Sequence, residues 1–77
     1  MSTLDQLKAI IIKVVRYSGN DLEYDTELKE LEADSLHWLQ IIVGVESEFN
    51  IEMDIEKMKE FVTVGDFVRY IDSSTGK

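Results

Sequence analysis

The chain has no cysteine and no proline, only four glycines, and a single histidine among its 77 residues. Without cysteine there is no disulfide framework, no thiolate metal site and no thiol nucleophile. Without proline, and with little glycine, long helices meet few breakers. One imidazole has no companions for a histidine metal site. No apolar run approaches the roughly 20 residues that cross a bilayer, and the N-terminus shows no cleavable signal pattern. A cytoplasmic protein without a membrane span is expected. Basic residues are also scarce: 8 Lys and Arg against 16 Asp and Glu give a net charge of −8. Such a field opposes nucleic acid and anionic membranes, and steers toward basic protein surfaces.

What is present suits a small folded domain. Hydrophobic residues make up 44% of the chain, too many for disorder. The length supports one domain, 1–77, with one small core, too short for most enzymes that must enclose a substrate. Leu4, Leu7, Ile11, Val14 and Val15 recur at helical spacing. Ile10 and Ile12 broaden that face, and Lys8, Lys13 and Arg16 form the polar side. Thr3 with Gln6 suggests a capping box at the start, and Ser18-Gly19-Asn20 a stop. Residues 20–32 then read as an ordered acidic loop, pinned by Leu22, Leu28 and Leu31. Asp21-x-Glu23-x-Asp25, with Glu32 in the twelfth place, imitates a calcium loop. Thr26 stands where that loop needs glycine, so no specific metal site is expected.

The chain turns on Leu31-Glu32-Ala33-Asp34-Ser35-Leu36. Asp34 is a good N-cap, and Ser35 falls in the first helical turn, where free backbone N–H groups favour an anionic substituent. From Ser35 to Phe49 the pattern is helical and carries two apolar stripes. Trp38, Ile41, Ile42, Val45 and Phe49 share a core face. Leu36, Leu39 and Val43 form a second stripe, centred roughly 130° away at 100° per residue. Either that stripe packs under the acidic loop, or it is an exposed docking strip beside Ser35, edged by Gln40, Glu46 and Ser47. Asn50 can end the helix in a left-handed cap. Ile51, Met53 and Ile55 alternate with acids in an extended link. Residues 56–61 could form a helical turn or two, with Met58 and Phe61 inward. Thr63-Val64-Gly65-Asp66 is a capping box with Asp in place of Glu. It opens a last helix with Val64, Phe67, Val68 and Ile71 inward, and residues 72–77 read as a frayed tail.

Asp34, Ser35 and His37 invite comparison with a hydrolase triad, and Ala-Asp-Ser-Leu is similar to the Gly-Asp-Ser-Leu motif of one esterase family. Residues one or two apart on a helix point different ways. That esterase family also needs a far larger domain with a distant His and Asp. His37 reads as a surface residue, and the chain as no catalyst.

Leu31-x-x-Asp34-Ser35-Leu36 ahead of an apolar helix resembles the acyl carrier protein family. Glu46-x-Glu48-Phe49-Asn50-Ile51-Glu52 and Thr63-Val64-Gly65-Asp66 extend the resemblance, which runs from about Leu4 to Ile71. It implies an all-α fold, a small antiparallel bundle of three longer helices and one short one. It implies 4'-phosphopantetheine, delivered from coenzyme A by a phosphopantetheinyl transferase and carried on Ser35 between Asp34 and Leu36. The arm supplies the thiol that this chain lacks. The implied partners are acyl-transferring, condensing or reducing enzymes with basic docking patches, in fatty-acid, polyketide or related biosynthesis, and the carrier is a monomer. They would dock on the Ser35 helix through Leu36, Leu39, Gln40, Val43, Glu46 and Ser47. Trp38, Ile42, Met53, Ile55, Met58 and Phe61 would line an acyl cleft, pliable where methionine lines it. The alternative is an interaction module of the same fold whose serine is never modified. Against the fatty-acid members of the family, Glu32 replaces the usual glycine and Asp54 a frequent proline. His37, Gln40 and Ser47 stand where acids are usual, and Trp38 where a small residue is common. These departures suggest a specialised carrier with its own partners.

Overall fold

A computed structural model describes residues 2–15 and 22–76. Among them run four α-helices: α1 Thr3–Val15, α2 Ser35–Phe49, α3 Ile55–Met58 and α4 Val64–Thr75, with a 3-10 turn at Leu28–Leu31. They form a small antiparallel bundle around one apolar core, with α1 packed on both α2 and α4. Arg16, the stop at Ser18-Gly19-Asn20 and Asp21 lie outside the described residues.

The cap of α1 is Ser2 rather than Thr3. Ser2 Oγ accepts from the Asp5 N–H at 3.1 Å, and the Ser2 carbonyl accepts from Gln6 N–H. Thr3 is buried instead, and its hydroxyl donates to Asp72 Oδ1 at 2.5 Å. Gln6 does not close a box either. Its Nε2 donates to Glu48 Oε2 at 3.2 Å, tying α1 to the end of α2. Leu7 and Ile11 are fully buried, whereas Ile12 is exposed, so the apolar face is narrower than the sequence suggests.

Leu22, Leu28 and Leu31 are buried and hold the acidic loop down, as expected. The loop is also stitched through its backbone to the start of α4. Leu28 N–H donates to Val62 O, Val64 N–H to Thr26 O and Gly65 N–H to Tyr24 O, each at 2.8 Å. This makes an isolated antiparallel bridge between Glu27 and Thr63. Gly65 is required here, since a Cβ would stand 2.8 Å from the Tyr24 carbonyl oxygen. The 3-10 turn is held by a reciprocal box between Glu27 and Glu30.

Asn50 ends α2 in the left-handed conformation, φ 56°, as its residue type suggests. Helix α3 begins earlier than expected and takes in Ile55. The cause is Asp54, whose carboxylate accepts from Glu56 N–H at 3.0 Å and Lys57 N–H at 3.4 Å. An aspartate thus starts the helix by capping, where a proline would do so by fixing φ. Phe61 follows α3 and is half-buried, its ring tilted against Phe67 and Tyr70 at 5.4 and 5.6 Å.

Helix α4 opens on the expected box. Thr63 Oγ1 accepts from Asp66 N–H, while the Asp66 carboxylate accepts from the N–H groups of Val62 and Thr63. Those amides, and then the Arg69 guanidinium, hold the Asp66 carboxyl below its ordinary pKa. Val64, Phe67, Val68 and Ile71 are all buried. The tail is not frayed from residue 72. The helix continues through Thr75 because Asp72 is tied to Thr3 and Gly76 supplies a left-handed cap at φ 80°, donating to Asp72 O.

Candidate functional site

The site is built at the start of α2. Asp34 is extended, and its Oδ1 accepts from the His37 N–H at 2.9 Å. His37 answers with Nδ1, which accepts from the Asp34 N–H at 3.3 Å. Histidine therefore fills the place that Glu or Gln takes in the usual capping box. His37 is thus more than the surface residue expected from the sequence, and the Asp34-x-x-His37 spacing is the signal for its capping role. The first helical bond runs from Trp38 N–H to Asp34 O at 3.0 Å. The Ser35 and Leu36 N–H groups precede it, at the positive end of the helix dipole. Ser35 is exposed, and its hydroxyl makes no hydrogen bond among the described residues. Asp34 and His37 are engaged with each other, so neither is poised as a base on Ser35 Oγ.

The second stripe of α2 is not tucked under the loop. Leu36, Leu39 and Val43 are 61, 53 and 56% exposed. Gln40 and Ser47 flank them and are exposed too. Glu46 departs from its expected place on the rim. It is half-buried, and its carboxylate accepts from Met53 N–H at 2.9 Å, fixing the link between α2 and α3. On the core face only Ile41 and Val45 are fully buried; Trp38, Ile42 and Phe49 are half-buried.

A groove of about 530 Å³ opens beside Ser35 between α2 and α3, lined by Ser35, Trp38, Leu39, Ile42, Ile55, Met58 and Lys59. Four of the six residues expected in an acyl cleft meet there. Met53 packs against the core instead. Phe61 lines a second groove of about 430 Å³, under the acidic loop. Nothing in the sequence sets Lys59 apart from the other charged residues of 56–60; in the structure it lines the groove and pairs with Glu56 at 3.4 Å. No three His, Asp or Glu side chains gather into a metal cluster among the described residues. Nor is any described helix long and apolar enough to cross a membrane.

The family model for the phosphopantetheine attachment site matches residues 5–71. The chain belongs to the acyl carrier protein family. It is 32% identical to an acyl carrier protein of Lactococcus lactis subsp. cremoris, over 96% of this chain and 99% of that one. It is 29% identical to that of Wolinella succinogenes, over 96% and 99%. The solution structure of a holo acyl carrier protein from Geobacter metallireducens superposes with a TM-score of 0.83. It is 26% identical, covering 99% of this chain and 88% of that one. Members are non-catalytic carriers with a phosphopantetheine prosthetic group, and the start of α2 fits such a group. An exposed hydroxyl stands beside two first-turn N–H groups that favour a phosphodiester anion, with an apolar groove adjoining.

Two residues before the acyl carrier's Asp34 stands Glu32. This residue takes the left-handed conformation, φ 53°, and its N–H donates to Lys29 O as the 3-10 turn ends. Glycine adopts that conformation without strain, and glutamate does not. The position therefore carries backbone strain as well as charge.

Proposed function

We propose that Ser35 is the attachment residue, and that the chain carries acyl thioesters among enzymes of fatty-acid, polyketide or related biosynthesis in the cytoplasm. The observation that carries this reading is the exposed, unbonded Ser35 hydroxyl on the first turn of α2, inside the matched family region. The arm, when attached, supplies the thiol. The protein's own residues hold and present it. Asp34 and His37 fix the first turn, so that Ser35 projects from a rigid end. The Ser35 and Leu36 amides would hold the phosphodiester anion there. Leu36, Leu39 and Val43, with Gln40 and Ser47, offer a contact strip to the transferase and then to acyl-transferring, condensing or reducing enzymes. Holding the cargo on a docked carrier raises its effective concentration at the partner's site.

No carboxylate, lysine or arginine lies on α2 between Ser35 and Val45. The acidic field of the whole chain then steers encounter with basic patches, while contact beside Ser35 is mainly apolar. This supports a specialised carrier with its own partners. The test is an intact mass after incubation with coenzyme A and a broad-specificity phosphopantetheinyl transferase. Wild type gains one phosphopantetheine and Ser35→Ala gains none while keeping its helical circular dichroism. No gain on a folded wild type would favour an unmodified interaction module.

A further inference from the structure

Ser35 lies between two residues that can bond to each other in two ways. His37 Nδ1 stands 3.3 Å from the Asp34 N–H, a donor, and 3.3 Å from Asp34 Oδ1, an acceptor. Unprotonated, that nitrogen accepts from the amide and closes the capping box. Protonated, it has only the carboxylate to bond, and the amide loses its acceptor. Oδ1 already caps α2 by accepting from the His37 N–H at 2.9 Å, so an imidazolium draws on the same oxygen. Glutamine, a usual residue in this place, has no such second state. The charge beside Ser35 changes too. While His37 is neutral, Asp34 is the one formal charge from Asp34 to Val45. An imidazolium cancels it and sets a cation at the positive end of the helix dipole. Among the described residues, Asp34 is the only charged group paired with His37. In the loop, Lys29 pairs with Glu27 at 3.7 Å, Glu30 accepts from the Glu27 N–H at 3.0 Å and Glu32 is exposed. Lys59 pairs with Glu56 at 3.4 Å beside α3, and Lys13 of α1 borders a groove with Glu48, at the far end of α2.

We propose that protonation of His37 slows attachment at Ser35, so that the single histidine of the chain makes loading of this carrier sensitive to pH. The inference rests on the carrier reading and adds regulation to its site. Residues one or two apart on a helix point different ways. His37 therefore acts through Asp34 and not on the Ser35 hydroxyl; it is a positioning residue. Two losses work in the same direction. The cap slackens on either side of Ser35, and a basic transferase surface meets no net charge beside the hydroxyl.

The experiment measures the specificity constant of a broad-specificity phosphopantetheinyl transferase, with coenzyme A, on wild type, His37→Gln and His37→Ala. It is run at about pH 8 and about pH 5.5, which span most of the range in which imidazoles titrate. Comparing proteins at one pH cancels the pH dependence of the transferase itself. At the higher pH, wild type and His37→Gln are alike and His37→Ala is slower. At the lower pH, wild type falls about fivefold relative to His37→Gln, the worth of a typical cap, while the ratio of the two variants stays fixed. A second readout needs no transferase. In the magnetic resonance spectrum of the unmodified protein, the Asp34 amide signal moves together with the His37 ring as pH falls. In His37→Gln it stays in place. A ratio of wild type to His37→Gln that is flat with pH would overturn the inference. So would an Asp34 amide that stays still while the ring titrates, or a His37→Ala variant as fast as wild type at the higher pH. A folded wild type that gains no phosphopantetheine at either pH would instead overturn the carrier reading, and this inference with it.

Discussion

The two apolar stripes of α2 are made of similar residues and meet opposite fates. Ile41 and Val45 are completely buried; Leu36, Leu39 and Val43 keep more than half of their surface in water. Hydrophobicity alone does not separate them, since valine serves on both faces and the leucines of one are as apolar as the isoleucines of the other. What separates them is the reach of a small core. A short bundle has room for one face of α2 against α1 and the loop leucines, and the other face is left over. Folding is thus assigned to one stripe and recognition to the other, with Ser35 at the end both share. Scattered exposed apolar residues need no explanation. Three in a row beside an exposed serine do.

The comparison can be broken first at the core. Ile41→Ala is expected to cost about 2–5 kcal/mol in urea unfolding, because the core cannot close fully on the space. A smaller loss would mean that the core face yields as readily as the outer one. Asp34→Ala removes the cap of α2 and is expected to cost about 0.5–2 kcal/mol. Its effect should appear as fraying of the first turn by amide exchange at His37 and Trp38, whose N–H groups bond to Asp34, with the Ile41 amide protected. Glu32→Gly acts in the opposite sense. Left-handed strain of about 1–2 kcal/mol is relieved, against about 0.5–1 kcal/mol of added chain entropy, for a net gain of about 0–1.5 kcal/mol. A loss of stability there would show that the glutamate side chain supports the loop.

A further test concerns pH. The Val62 and Thr63 amides, then Arg69, lower the Asp66 carboxyl pKa in the folded protein. The sign follows from linkage. Its contribution is fully present above the unfolded value of about 4 and is lost as pH falls through the lower, folded value. Asp66→Asn should therefore flatten the acid limb of the stability curve and leave its slope at neutral pH unchanged.

Much of this architecture is legible in the sequence. The period of α2, the Asp34 cap, the Asn50 terminator and the Thr63–Asp66 box are local signals, each decided by residues within a turn or two. The loop leucines are legible because isolated apolar residues in an acidic stretch must find the core. The rest depends on partners far along the chain. Thr3 looks like a cap until Asp72 arrives from the other end of the molecule. The Glu27–Thr63 bridge is made by backbone groups, which carry no side-chain signature. The left-handed Glu32 breaks a local rule that would assign glycine. At the site, the exposed stripe and Ser35 were readable. The engagement of Glu46 with Met53, and the packing of Met53 against the core instead of in the groove, were not, because both depend on where α3 settles.

The most direct test of the division of labour within α2 is the specificity constant of a phosphopantetheinyl transferase for Leu39→Ser relative to wild type. The unfolding free energy of the same sample is measured alongside. A fall of about tenfold or more, roughly 1.4 kcal/mol of lost docking, is expected while stability stays within about 0.5 kcal/mol. An unchanged specificity constant, or a loss of stability approaching that of Ile41→Ala, would contradict it.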